Sequence, residues 1–233
     1  MPAMLRAQAV LDSTAQANAL ELSRKREGYI APTQLFGLSA DLFSRTYFAE
    51  VLPETKWGPD HSLWAPNLAA FKSDMVRLLL PPGVALDDYL ADALVRGLSE
   101  DEVKALRREM ESDDVHGAVR ELTRIGLSWQ VLVRAHTMQT ESRYYSLAEQ
   151  EQTRREMRLV REHLIDTDSG TFKEKVKPLA EFAGSDLFNK YVAVVNQAFM
   201  DGAKRVGNAE REKSANSISV LLERWRVRLR RGS

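Results

Sequence analysis

The sequence predicts an all-α fold, a multi-helix bundle of about eight to ten helices. Two observations carry that reading. Apolar residues recur three or four positions apart along nearly the whole chain, while runs of β-branched residues are scarce. Where the period breaks, helix punctuation stands: the capping pair Ser99 and Glu102, the stop Pro81-Pro82-Gly83, and glycines at 28, 97 and 126.

The first helix is expected over about residues 3 to 27, ending at Gly28 behind Arg24, Lys25 and Arg26, cations suited to a helix C-terminus. Ser39 is expected to cap a short second helix with Leu42, Phe43, Tyr47 and Val51 inward and Pro53 as its stop. From Pro53 to Pro66, three prolines and Gly58 deny the chain helical dihedrals and amide donors, leaving a long aromatic loop. Pro66 sits where a first-turn proline belongs, and Leu68, Phe71, Met75 and Leu78 give the next helix its buried face up to Pro81. Asp87 or Asp88 is expected to cap a short helix carrying Tyr89, Leu90 and Leu94, closed by Gly97.

In the Ser99 helix, Val103, Leu106 and Met110 form one apolar stripe. A helix from about Asp113 turns Val115, Val119 and Leu122 inward. Between Leu127 and Met138, Trp129, Val131 and Val133 alternate as in a strand, but Trp129, Leu132 and Val133 also share a helical face, and helix is favoured. Residues 144 to 165 read as a long charged helix, Asp166 to Gly170 as a turn, and Pro178 as a kink or break between Phe172 and Phe182. Ser185 caps a helix with Phe188, Tyr191, Val195 and Phe199 on one face, weakened near its end by Gly202 and Gly207. The last helix is expected from 209 to about 230, with Ile218, Leu221, Leu222, Trp225 and Leu229 together.

The 233 residues are 44% hydrophobic and 28% charged, enough apolar material for a real core. They read as one helical domain over 1–233, and a subdivision would fall in the polar stretch from Thr140 to Arg158. Lys and Arg together number 33, as do Asp and Glu, so no global field draws the chain to nucleic acid or an anionic membrane. The lack of Cys removes disulfides, thiolate nucleophiles and Cys-ligated metal sites. No window reaches the roughly 18 apolar residues of a membrane span, and Met1 to Val10 lacks the apolar core of a signal peptide.

From Tyr89 to Leu122, a Ser cap, a following Glu, a helix, a second Ser and a Gly succeed one another at Leu98-Ser99, Glu102, Leu106, Met110, Ser112 and Gly117. This order resembles a bacterial helical family known as domain of unknown function 2059. That family ends the first helix in an aromatic and continues Ser-Pro-x-Gly. Here Met110 stands for the aromatic, Asp113 for the proline, and extra residues precede Gly117. A looser version runs Leu179-Ala-Glu-Phe182-Ala-Gly-Ser185-Asp186, as two internally related helix–turn–helix units would. The resemblance implies an exported, all-helical protein without assigned catalytic residues, periplasmic once its signal is removed. A cytoplasmic location is the alternative.

Asp113, Asp114 and His116 form the tightest group of candidate metal ligands, although carboxylates at a helix start also stabilise its dipole without any metal. His163 with Asp166 and Asp168 offers similar donors in a spacing that matches no established ligand motif. His61 and His136 complete the histidines. Nucleophile-elbow, dinucleotide, phosphate-loop and His-Glu-x-x-His signatures are absent, and no cofactor is expected.

The strongest candidates for contact with another molecule are Trp57, Asp60, His61 and Trp64, because tryptophans on a proline-restrained loop have the makeup of a binding hot spot. The competing account folds those rings back onto the helices. At the other end, Arg224, Arg226, Arg228, Arg230 and Arg231 surround Trp225, as on a docked terminal helix with a solvated basic face.

The expected function is a non-enzymatic interaction protein that binds a protein partner through the surface around Trp57 to Trp64, as an inhibitor or immunity-type protein does. A metal-assisted hydrolase using His116 or His163 with neighbouring carboxylates is one alternative. A binder of nucleic acid or anionic membrane through the Arg-rich terminus is the other, disfavoured because so short a basic segment neutralises few phosphates.

Overall fold

The computed structural model describes residues 14–23, 32–52, 58–125, 129–165 and 169–231. Among them every regular element is helical, with eleven α-helices and one short 3₁₀ helix, slightly more than the sequence predicts. The helices are α1 (residues 14–23), α2 (Pro32–Val51), α3 (Trp64–Leu79), α4 (Leu86–Gly97), α5 (Glu100–Met110) and α6 (Asp113–Arg124). They continue as α7 (Trp129–Glu141), α8 (Leu147–Ile165), α9 (Ser169–Gly184), α10 (Asp186–Arg211) and α11 (Ile218–Arg231). The chain sorts into two compact units, one from Met1–Leu35, Val84–Trp129 and Leu159–Ala198, the other from Phe36–Gly83, Gln130–Arg158 and Phe199–Ser233.

The first unit closes around Leu22 of α1, Leu94 of α4, Leu106 and Met110 of α5, Val115 and Ala118 of α6, Phe182 of α9 and Tyr191 of α10. Its caps at Ser99 and Ser185 are the expected ones. Ser99 Oγ accepts from the Glu102 N–H at 3.2 Å while the Glu102 carboxylate accepts from the Ser99 N–H at 2.7 Å, the predicted capping box. Ser112 and Ser185 cap α6 and α10, accepting from the Val115 and Phe188 amides at 3.3 and 3.1 Å.

Expectations at two places in this unit need correction. Neither Asp87 nor Asp88 caps α4: the cap position is Ala85, and both carboxylates lie in the first turn, where the dipole favours them. Of the kink or break expected at Pro178 the break is absent, since α9 runs through it from Ser169, and Ser169 and Gly170 open a helix instead of a turn. Gly97 does close α4, as expected, and it also serves the close approach of α10, since a Cβ there would lie 2.4 Å from the Val194 Cγ2. Residues 126–128 and 166–168, including Gly126, Asp166 and Asp168, lie outside the described residues.

The second unit is built on Phe48, Val51 and Leu52 of α2 and the segment after it, Trp64, Leu68, Phe71 and Met75 of α3, and Leu221, Leu222, Trp225 and Leu229 of α11. Aromatic rings hold its centre, with Phe48 at 5.1 Å from Trp64 and 5.3 Å from Phe71, and Phe71 at 5.5 Å from Trp225. The Trp225 indole N–H donates to Asp74 at 3.0 Å. The predicted apolar faces of α3 and α11 are therefore the real ones, and of the stretch from Leu127 to Met138 the described residues, from Trp129 on, form the favoured helix, α7.

Here the corrections concern boundaries. Helix α2 opens at Pro32, before Ser39, since a proline at the first helical position is already set to helical φ. Helix α8 starts at Leu147, preceded by a 3₁₀ turn over Ser142–Tyr144. Helix α10 continues past Gly202 and Gly207 to Arg211, and the chain reverses at Lys213, whose φ is 50°, before Ser217 caps α11 by accepting from the Val220 N–H at 3.4 Å. Gly202 is a contact point: a Cβ would sit 2.6 Å from the Leu79 carbonyl oxygen.

Gly202 and Gly117 should respond oppositely to alanine. Gly117 lies inside α6 with open space around its missing Cβ. Gly117→Ala is expected to raise stability by about 0.5–1 kcal/mol through helix propensity, and Gly202→Ala to lower it by about 1–3 kcal/mol through overpacking against backbone. Urea unfolding of the two variants checks this, and equal responses would refute the close approach.

Candidate functional site

The loop before α3 is described from Gly58 onward, and Trp57 lies outside the described residues. Its backbone is tightly wound. The His61 N–H donates to the Gly58 carbonyl at 3.0 Å and the Trp64 N–H to the His61 carbonyl at 2.9 Å. The Leu63 N–H meets the His61 Nδ1 at 3.2 Å, which makes Nδ1 the acceptor.

One contact fixes the loop to a distant element. Asp60 Oδ1 accepts from the Leu147 N–H at 2.7 Å, so a carboxylate from the loop occupies one of the open donors at the start of α8. Trp64, 3% exposed, packs against Phe48 inside the second unit, and its indole N–H is buried without a hydrogen-bond partner. Of the four residues that sequence reasoning groups as a contact surface, Asp60 and His61 are exposed and Trp64 is a core anchor. Two large apolar residues complete the outer surface, Leu63 at 39% and Leu147 at 67% exposure.

Beneath this surface lies a polar cluster that sequence reasoning missed. Arg45, 6% exposed, donates from Nε to Asp41 at 3.0 Å, from Nη1 to the Tyr144 carbonyl at 3.0 Å and from Nη2 to Glu149 at 2.8 Å. Its guanidinium also stands 4.3 Å over the Tyr145 ring. Glu149 forms a second capping box with Ser146: the Ser146 N–H donates to its carboxylate at 2.9 Å and the Glu149 N–H to Ser146 Oγ at 3.1 Å. Lys72 ion-pairs with Asp41 from α3. Ser146-Leu-Ala-Glu149 carries the same signal as Ser99 to Glu102, and it is hidden when the helix is started at 144.

The electrostatics follow from this packing. Burial pushes the Glu149 carboxyl up, but the hydrogen bond and charge of Arg45, with Ser146, outweigh it and hold the group below its ordinary value. Burial pushes the Lys72 ammonium below its ordinary value, opposed by the charge of Glu149. Further along α8, Arg134 of α7 donates to Thr153 at 2.8 Å and to Glu156 at 2.7 Å.

The remaining candidates are scattered. His116 Nδ1 lies 3.4 Å from the Glu111 carbonyl, with Asp113 and Asp114 exposed at the start of α6. His163 Nδ1 lies 2.9 Å from the Leu159 carbonyl, its ring against Phe172. His136 falls within α7, with its side chain outside the described residues. Among the described residues no three His, Asp or Glu side chains group closely enough to hold a metal ion. On α11, Trp225 and Leu229 are buried, Arg228 stacks 4.5 Å over the Trp225 ring and Arg226 lies 3.5 Å from Glu223. Open clefts of about 500 and 480 Å³ in the first unit and about 300 Å³ in the second mix charges of both signs, and no histidine lines any of the three.

No helix among the described residues is long and apolar enough to cross a membrane. No family model matches the chain, and no curated protein or solved structure is significantly similar to it.

Glu149 generates a pH prediction. Its carboxyl is depressed from the ordinary value of 4.5, so its contribution is present above that value and lost as pH falls through the lower folded one. Glu149→Gln should cost about 1–3 kcal/mol at neutral pH by removing charge-assisted bonds. It should also flatten the acid limb of the stability curve. Chemical unfolding from pH 7 to pH 3 checks both effects, and parallel curves for the two proteins would rule out the buried pair.

Proposed function

We propose that this chain is a non-catalytic interaction protein that docks a protein partner on the loop of residues 58–63 and the start of α8. The observation that supports this is the exposure of two apolar side chains, Leu63 and Leu147, on segments tied together by the Asp60 bond to the Leu147 amide. A contact surface that is already ordered loses little entropy on docking, and apolar anchors ringed by polar groups are where binding energy concentrates. Asp60 and His61 supply the polar rim, while Trp64 serves as the inward anchor that holds the loop. An inhibitor or immunity-type role fits a protein acting through such a surface.

Affinity capture with wild type beside a Leu63→Asp/Leu147→Asp variant tests this. The variant is expected to lose a discrete protein partner by about 2 kcal/mol or more, roughly thirtyfold, at an unchanged melting temperature. Trp64→Ala should instead destabilise the fold by about 3–5 kcal/mol, as a core truncation does. Recovery of the same partners by the double leucine variant would place the functional surface elsewhere.

A further inference from the structure

The helix that carries Leu147 separates its charges between two faces. Its inward carboxylates are consumed: Glu149 by Arg45 at 2.8 Å and Glu156 by Arg134 at 2.7 Å, with Thr153 buried between them. The outward face carries Arg154, Arg155 and Arg158, whose side chains are 64%, 70% and 61% exposed. All three share one carboxylate, Glu151, at 3.8, 3.6 and 3.1 Å. One carboxylate cannot offset three guanidiniums, so this face displays a positive surplus although α8 as a whole holds four carboxylates and four arginines.

The spacing orders these groups. Leu147, Glu151, Arg154 and Arg158 follow one another at intervals of four, three and four, the repeat that keeps residues on one face of a helix, over about 16 Å at 1.5 Å per residue. Arg155 flanks the row. Exposed Leu147 thus heads a basic ridge and adjoins the loop that presents Leu63.

We infer that this ridge receives an acidic segment of the partner protein, an apolar residue seating at Leu63 and Leu147 and carboxylates meeting Arg154, Arg155 and Arg158. The inference rests on the interaction role proposed above and names the chemistry of the partner. Bidentate guanidinium–carboxylate pairing suits arginine over lysine, and all three exposed cations of the ridge are arginines. A nucleic-acid strand is a poorer fit, because no aromatic ring stands on the ridge to stack a base and an exposed leucine heads it.

The test uses the full chain and two labelled helical peptides, one presenting a Leu with Glu seven, eight and eleven positions further on, the other with Lys in place of Glu. The acidic peptide is expected to bind with an affinity that falls at least about tenfold between low and physiological salt. Reversal by Arg154→Glu, Arg155→Glu and Arg158→Glu should abolish that binding and create affinity for the Lys peptide. The corresponding Gln variants, which add no repulsion with Glu151, should weaken it at an unchanged melting temperature. No binding of the acidic peptide, unchanged affinity after reversal, or tighter binding of single-stranded DNA or phosphatidylserine vesicles than of the peptide would overturn the inference. Capture of the native partner separates the two proposals. If the leucine variant loses the partner and the arginine reversal retains it, the acidic segment is wrong and the interaction role stands, whereas retention by both variants sinks both.

Discussion

The Arg45 guanidinium is the constraint on which the second unit's outer surface depends. A cation held at 6% exposure has given up most of its hydration, a cost of several kcal/mol that only complete pairing offsets. Arg45 meets that condition with Asp41, Glu149, the Tyr144 carbonyl and the Tyr145 ring. These partners lie on α2, on the 3₁₀ turn and on the first turn of α8, so the side chain fixes where α8 begins relative to α2. Shifting that start by one residue would turn Glu149 away and leave the guanidinium buried and unpaired.

The consequence runs outward from the cluster. With Glu149 held by Arg45, the Ser146 box closes and leaves the Leu147 amide at the helix end, where Asp60 accepts from it. The loop is thereby positioned by a helix it precedes by many residues in sequence. The same register decides which side chains of α8 face inward. Glu149, Thr153 and Glu156 fall on the side of Arg45 and Arg134, and the arginines at 154, 155 and 158 fall on the other. A chain with zero formal charge therefore presents a local positive ridge, which the balance of 33 against 33 charges conceals.

Local signals were legible in the sequence, and contacts between distant segments were not. The Ser99 box, the Leu68-Phe71-Met75 face and the register of Trp225 and Leu229 are set within a few residues, and the structure has all three. Gly97 reads as a helix end, which it is, and Gly202 as a weak point near one; that the two glycines also admit Val194 and Leu79 is announced by no local pattern. The Ser146 box is local and was readable, but the charged run from 144 masks the cap. The aromatic loop divides the same way: its composition marks a candidate surface, while the choice of which residues turn inward depends on Phe48 and on the amide of Leu147.

That division explains why Trp64 is buried beside an exposed Leu63. Trp64 opens α3, and a side chain at a helix start points back over the preceding turn, here toward the Phe48 ring of α2. Once the Trp64 ring is committed to the core, residues 60–63 are held from one end by Trp64 and from the other by the Asp60 contact to α8. A segment pinned at both ends cannot fold its remaining apolar side chain inward without releasing one of the two. Leu63 therefore stays at the surface, on the loop that Asp60 ties to the Leu147 amide, and the Leu147 side chain is kept outward by the register that Arg45 imposes on α8. The exposed apolar pair follows from the buried polar cluster, and a partner that covers both leucines gains hydrophobic burial without having to order either segment.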